Sequence, residues 1–187
     1  MAADYLVSSL QPLALDGPPP CTAEQFLGLC RSQLPAADVA ALEWLVKSES
    51  GQDAALGKAP SGHRILARWR DLDAPLRNAA AAERARLRRQ DAAKWLRPVE
   101  GCSLYWANRA AAAFQEKDPA RRERLLDQVR WDAAGELTPP AAPLSLAAVF
   151  TYAIRLGIVL RRAARDTAAG NDVFNRLTAA TKIEFKE

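Results

Sequence analysis

Apolar side chains recur every three to four residues along most of this chain, and no run alternates with polar ones long enough to build a sheet. That period is helical, since a half-buried strand would alternate. Clear stripes are Phe26, Leu27 and Leu29; Val39, Leu42 and Val46 with Leu45 alongside; and Ile65, Trp69, Leu72 and Leu76, continued more weakly by Ala79, Ala80 and Leu87. Leu104, Ala107, Ala111 and Phe114 share a face, and Leu125, Leu126 and Val129 are expected to form the buried face of the next helix. Residues 144–160 are the most apolar run. Val149, Phe150, Ala153, Ile154, Gly157, Ile158 and Leu160 cover most of its circumference, which predicts a helix packed on several sides. A last helix over 172–183 would carry Val173, Phe174, Leu177 and Ala180. At the start, Tyr5 to Leu10 is apolar but too short for periodicity to separate a strand from a first helical turn.

Breakers and caps divide the stripes. Pro18, Pro19 and Pro20 interrupt the chain because proline lacks the N–H that helices and ladders use. Thr22 with Gln25 three residues on is a capping box. Residues 51–62 hold three glycines and Pro60, the composition of a mobile loop. Residues 63–96 read as one long helix or two joined ones. Pro75 either starts a new helix with Asp73 as its cap or kinks a continuous one, and Arg97-Pro98 ends it. Ser103 and Ser145 stand at cap positions, and Asp118-Pro119 is a strong restart signal. Gly135 and Pro139, Pro140 and Pro143 stop the helix that follows it. Together these predict an all-α chain of about seven helices, one helical domain over residues 1–187, with a buried hydrophobic helix near the C-terminus.

Composition changes this picture little. A chain of 187 residues buries roughly 70% of its unfolded surface and needs no staples. The net charge of +4 comes from 26 basic and 22 acidic residues, interleaved through most stretches. Cys21, Cys30 and Cys102 are odd in number and lack CxxC spacing, which argues against a disulfide framework or zinc site and for a reducing compartment. The first fifteen residues carry Asp4 and no basic segment, unlike a secretory leader. Residues 144–160 fall short of the ~20 that a membrane span requires, and Arg155 interrupts them. A soluble, intracellular protein is expected, one free to sit on a membrane complex.

Candidate chemistry is sparse. His63 is the lone histidine, lies at a helix start and has no nucleophile elbow near it, so a capping or surface role is expected. The acids are scattered among basic partners rather than clustered as metal ligands. No GxxxxGK or GxGxxG is present. No catalytic residue, metal or cofactor is therefore predicted. Arg84, Arg86, Arg88 and Arg89 form the densest basic patch, with a second at Arg161, Arg162 and Arg165. Such runs are usually solvated helix faces; the functional alternative is an acidic partner surface or nucleic acid. Of the five tryptophans, Trp69 falls in a core stripe, whereas Trp95 and Trp106 flank the break at 98–101 and could anchor a partner.

Tyr5 to Leu10, the Pro18–Pro20 break and the helix with Glu24, Phe26, Leu27 and Cys30 follow in an order that resembles the start of a bacterial protein family encoded among the subunits of V-type (A-type-like) ATP synthases. The likeness extends to Trp69 with Leu76, Arg77 and Asn78, and to Tyr152, Arg155, Leu156, Gly170 and Phe174. The resemblance implies a non-catalytic accessory subunit or assembly factor of the rotary ATPase. In one version it is a counterpart of the helical protein that stands between the central rotor stalk and the membrane ring. It would sit on the cytoplasmic side, peripheral to the inner membrane through the complex. The residues expected to be exposed for partner contacts are Arg77, Asn78, Arg84, Arg88, Trp95 and Trp106. The alternative is a helical nucleic-acid binder using the Arg84 and Arg161 faces. An enzyme would instead need a deep pocket with convergent polar groups and perturbed titration.

Overall fold

The computed structural model describes residues 2–51, 59–96 and 104–165. Among them are seven α-helices and one 3-10 turn, and no strand. The helices are α1 (Ala2–Ser9), α2 (Ala23–Arg31), α3 (Ala36–Glu49), α4 (Arg64–Leu87), α5 (Leu104–Ala113), α6 (Pro119–Gly135) and α7 (Leu146–Ala163), with the turn at Ala92–Trp95. The first apolar stretch is therefore helical. The helix predicted over 172–183, the cap at Ser103, Cys102 and most of the loop predicted at 51–62 lie outside the described residues. No described helix is long and apolar enough to cross a membrane.

The predicted capping chemistry operates at three starts. Thr22 accepts from the Gln25 N–H while the Gln25 side chain accepts from the Thr22 N–H, completing the box. Asp118 accepts from the Ala120 N–H at 2.9 Å, ahead of Pro119. His63 caps α4, its Nδ1 accepting from the Leu66 N–H. Ser145 stands at the N-cap of α7 but makes no side-chain cap bond, and its buried hydroxyl has no partner among the described residues.

α4 departs from expectation twice. Pro75 neither starts a helix nor ends one; α4 runs through it, forgoing the bond to the carbonyl of Asp71. Asp73 is accordingly no cap but a buried carboxylate. The helix also stops at Leu87, well before Arg97. Arg89 adopts φ 54°, the left-handed conformation usual for glycine at that place. The Gln90 N–H then reaches the Ala85 carbonyl at 2.9 Å and the Arg89 N–H the Arg86 carbonyl at 3.2 Å, a complete Schellman closure built on arginine.

α7 is the central element. Val149, Phe150, Ala153, Ile154, Leu156 and Ile158 are fully buried, as its all-round hydrophobicity predicts. α3 lies along it in the same direction: Asp38 meets His63, which stacks on Phe150, at one end, and Glu49 packs on Gly157 at the other. A Cβ on Gly157 would fall 2.4 Å from that of Glu49, so only glycine permits this approach. α6 runs antiparallel to α7, with Thr151 donating to the Ala134 carbonyl and Arg161 to Asp127. α4 runs antiparallel to α6, through Arg68 to the Glu136 carbonyl, Arg130 to Asp73, and Arg84 beside Glu123. α5 fills the outer side of the α4–α6 pair with Trp106 and Ala110.

Candidate functional site

Where α3, α4, α6 and α7 meet, the apolar core gives way to a seam of charge. Glu49, Asp73 and Asp127 are all at most 5% exposed. Their burial follows from helical spacing: Glu49 stands three residues after Val46 and seven after Leu42, on the core stripe of α3. Buried carboxylates require partners, and each has arginine. Arg130 donates Nε–H to Asp73 at 3.0 Å and Nη2–H to Glu49 at 2.8 Å. Arg77 bonds Asp73 one turn back along α4 and stands 4.0 Å from Glu49. Arg161 donates to the Glu49 carbonyl at 2.8 Å and to Asp127. Arg162 joins Asp127 at 3.4 Å to Asp16 at 2.9 Å, and Asp16 also holds Arg124.

The two acids that share Arg130 titrate oppositely. Burial pushes the Glu49 carboxyl above the usual carboxylate range; the Arg130 charge offsets this only in part, and the Asp73 charge adds to it. Burial also acts on Asp73, but the charges of Arg130 and Arg77 and their hydrogen bonds outweigh it and hold that carboxyl below its ordinary value. Glu49 Oε2 has no hydrogen-bond partner among the described residues.

Beside this seam α4 and α6 part over a cavity of about 340 Å³. Leu76, Ala80, Ala81, Ala110, Leu126 and Val129 give it an apolar lining, Arg77, Arg84, Arg130, Arg161, Glu123 and Asp127 the charge, and Trp95 one wall. A second hollow of about 270 Å³ shares Arg84, Glu123 and Leu126 with it and adds Leu87, Arg88, Phe114, Pro119 and Arg122. The two abut as one groove. Arg84 lies 3.8 Å from Glu123, too far for a hydrogen bond, with its guanidinium 5.9 Å from the Phe114 ring centre.

The residues expected to meet a partner are thus split. Arg84, Arg88 and Trp95 are exposed on the groove, Trp95 by 51%. Arg77 is half-buried and tied to Asp73, and Asn78 is also half-buried. Trp106 is corrected: it is 5% exposed, packed in the core, its indole N–H donating to Glu136 at 2.8 Å. It falls on the same face of α5 as Ala110 and Ala113, so its stripe, not the nearby break, decides its place. The second basic patch is corrected too. Arg161 and Arg162 are no solvated face but are turned inward on Asp127. Sequence reasoning missed Glu49, Asp73, Asp127 and Arg130, although Asp73 and Arg77 at i, i+4 and Glu49 on an apolar stripe were signals available to it.

A larger hollow of about 580 Å³ brings Asp38, His63 and Ser145 to one wall. The Leu66 N–H bond fixes a lone pair on His63 Nδ1, which puts the ring proton on Nε2, and Nε2 donates it to Asp38 at 3.0 Å. No lone pair is left to take a proton from Ser145. Among the described residues no group of three or more His, Cys, Asp or Glu could hold a metal ion. No family model matches this sequence, and neither the curated proteins nor the solved structures include a match to it.

Proposed function

We propose that this chain is a non-catalytic accessory subunit or assembly factor of a V-type ATP synthase, working through protein–protein contacts on the cytoplasmic side. The resemblance supplies the ATPase. The observation that carries the protein-binding part is Trp95, half exposed on a groove whose rim is arginine. Tryptophan and arginine dominate binding energy at interfaces, and an exposed indole has no packing reason to be there. The convergent carboxylates support the same reading, since each is already held by guanidinium groups and serves the packing of four helices.

The test is affinity capture of the tagged full chain from gently solubilised native membranes, with mass spectrometry of the retained proteins. Catalytic and stalk subunits in fixed ratio are expected. Capture of nothing, or of nucleic acid that nuclease removes, would overturn the proposal and favour a nucleic-acid binder.

A further inference from the structure

Building on the protein-binding reading, we propose that the α4–α6 groove receives an acidic, amphipathic helix of a partner protein. Charge complementarity is the first ground. Six arginines line the two hollows, Arg77, Arg84, Arg88, Arg122, Arg130 and Arg161, against two acids, Glu123 and Asp127. Counting Glu49 and Asp73 behind the wall leaves the excess positive. The rim donors have no hydrogen bond among the described residues: Arg84 makes its long contact to Glu123 and lies over the Phe114 ring, and the Arg88 side chain has no hydrogen bond or ion pair there. A carboxylate arriving there can be gripped by both N–H groups of a guanidinium.

Shape and lining supply the second ground. The alanines Ala80, Ala81 and Ala110 leave space that a leucine-sized side chain fills, with Leu76, Leu126 and Val129 around it. Leu87 and Trp95 stand at the edges, each more than half exposed. The groove follows α4 from Leu76 to Leu87, roughly 17 Å at 1.5 Å per residue, which matches about three turns of helix. The apolar floor of Leu76, Ala80, Ala81, Leu126 and Val129 suits an amphipathic segment better than a phosphate backbone, which has no apolar face to set on it.

The experiment uses the full chain and two fluorescein-labelled helical peptides of about three turns. Both carry leucines at i, i+3, i+4 and i+7, flanked by glutamate in one and by lysine in the other. Fluorescence anisotropy is expected to show the glutamate peptide binding at least about tenfold more tightly than the lysine peptide. The double variant Arg84→Glu with Arg88→Glu, both exposed and checked for an unchanged melting curve, reverses that preference. Trp95→Ala weakens binding, and Arg64→Glu at the far end of α4 leaves it unchanged. Equal binding of both peptides, binding of neither, or displacement of the peptide by single-stranded DNA with a steep salt dependence would overturn the proposal. The native capture experiment separates the two readings. If the double variant still retains the ATP synthase subunits, the groove is not the docking surface although the subunit assignment stands.

Discussion

Replacing Arg130 by methionine probes the buried seam where it has least redundancy. Methionine keeps most of the stem and its packing, so the loss is mainly electrostatic. Two charge-assisted bonds go, at 3.0 Å to Asp73 and 2.8 Å to Glu49, from a side chain only 16% exposed. Asp73 retains Arg77. Glu49, with 1% of its side chain exposed, retains no carboxylate hydrogen bond, only Arg77 at 4.0 Å and the charge of Arg161, so it becomes the orphan. Stranding one buried charge costs about 3–5 kcal/mol, and with Asp73 still paired the lower end, about 3 kcal/mol, is expected. That is a large part of the total for a chain of this size, about 5–15 kcal/mol. The loss should depend on pH. Burial already raises the folded-state pKa of Glu49, and removing a cation raises it further. Stability tied to such a group is present below its unfolded pKa and is lost as pH rises through the folded one. The variant should therefore lose more at pH 8 than at pH 5. Urea unfolding followed by far-UV circular dichroism at both pH values measures this. Adding Glu49→Gln should recover more than adding Asp73→Asn. A loss under about 1 kcal/mol, a larger loss at pH 5, or better rescue by Asp73→Asn would refute this partition of the charges.

Gly157→Ala should destabilise by at least about 2 kcal/mol in a thermal melt, because its methyl would sit 2.4 Å from Glu49 Cβ and 3.3 Å from the α3 backbone, leaving no flexible atom to yield. Arg89→Gly should stabilise by about 0.5–1 kcal/mol in denaturant titration, the relief of a left-handed arginine less the entropy glycine brings to the unfolded chain. Burial pushes the Cys30 thiol up to about 12 and also raises that of Cys21, which is only half-buried and so remains the more accessible of the two. Peptide mapping after iodoacetamide at pH 8 should find Cys21 alkylated and Cys30 untouched until denaturant is added.

Much of the fold was legible because helix and core share one signal. The period that predicts a helix also says which face is buried, so α3 and α7 and their cores follow from the same residues, whereas Leu29 on α2, Leu104 on α5 and Leu125 on α6, all read on apolar faces, are exposed, and α5 buries Trp106, Ala110 and Ala113 instead. Local caps with two-residue chemistry, Thr22 with Gln25 and Asp118 with Pro119, were equally readable. The end of α4 was not, because Arg89 occupies a conformation whose usual marker is glycine. Trp106 was misread for a related reason: proximity to a break was weighed above its register with Ala110 and Ala113. The charged seam was hidden more deeply. Nothing local distinguishes Asp127 or Arg130 from solvated neighbours on α6; their burial depends on how α4 and α7 pack against that helix, which is long-range information.

The seam also changes what the basic residues can do. Judged from sequence, the arginines at 84–89 and 161–165 are two basic runs, each read as a solvated face or as a footprint for an acidic partner or nucleic acid. In the fold they are unlike. Arg161 and Arg162 spend their donors on Glu49, Asp127 and Asp16, binding α7 to α3, α6 and the loop that holds Asp16. Arg84 and Arg88 spend almost none. A nucleic-acid surface would need both sets, since phosphate affinity grows with the number of neutralised charges. A short acidic helix needs only the free rim and the hollow beneath it. The inward-turned arginines then have a different part: they lock α7 and α3 to α6, which forms one wall of the groove, so that a docking helix would meet that wall already in place.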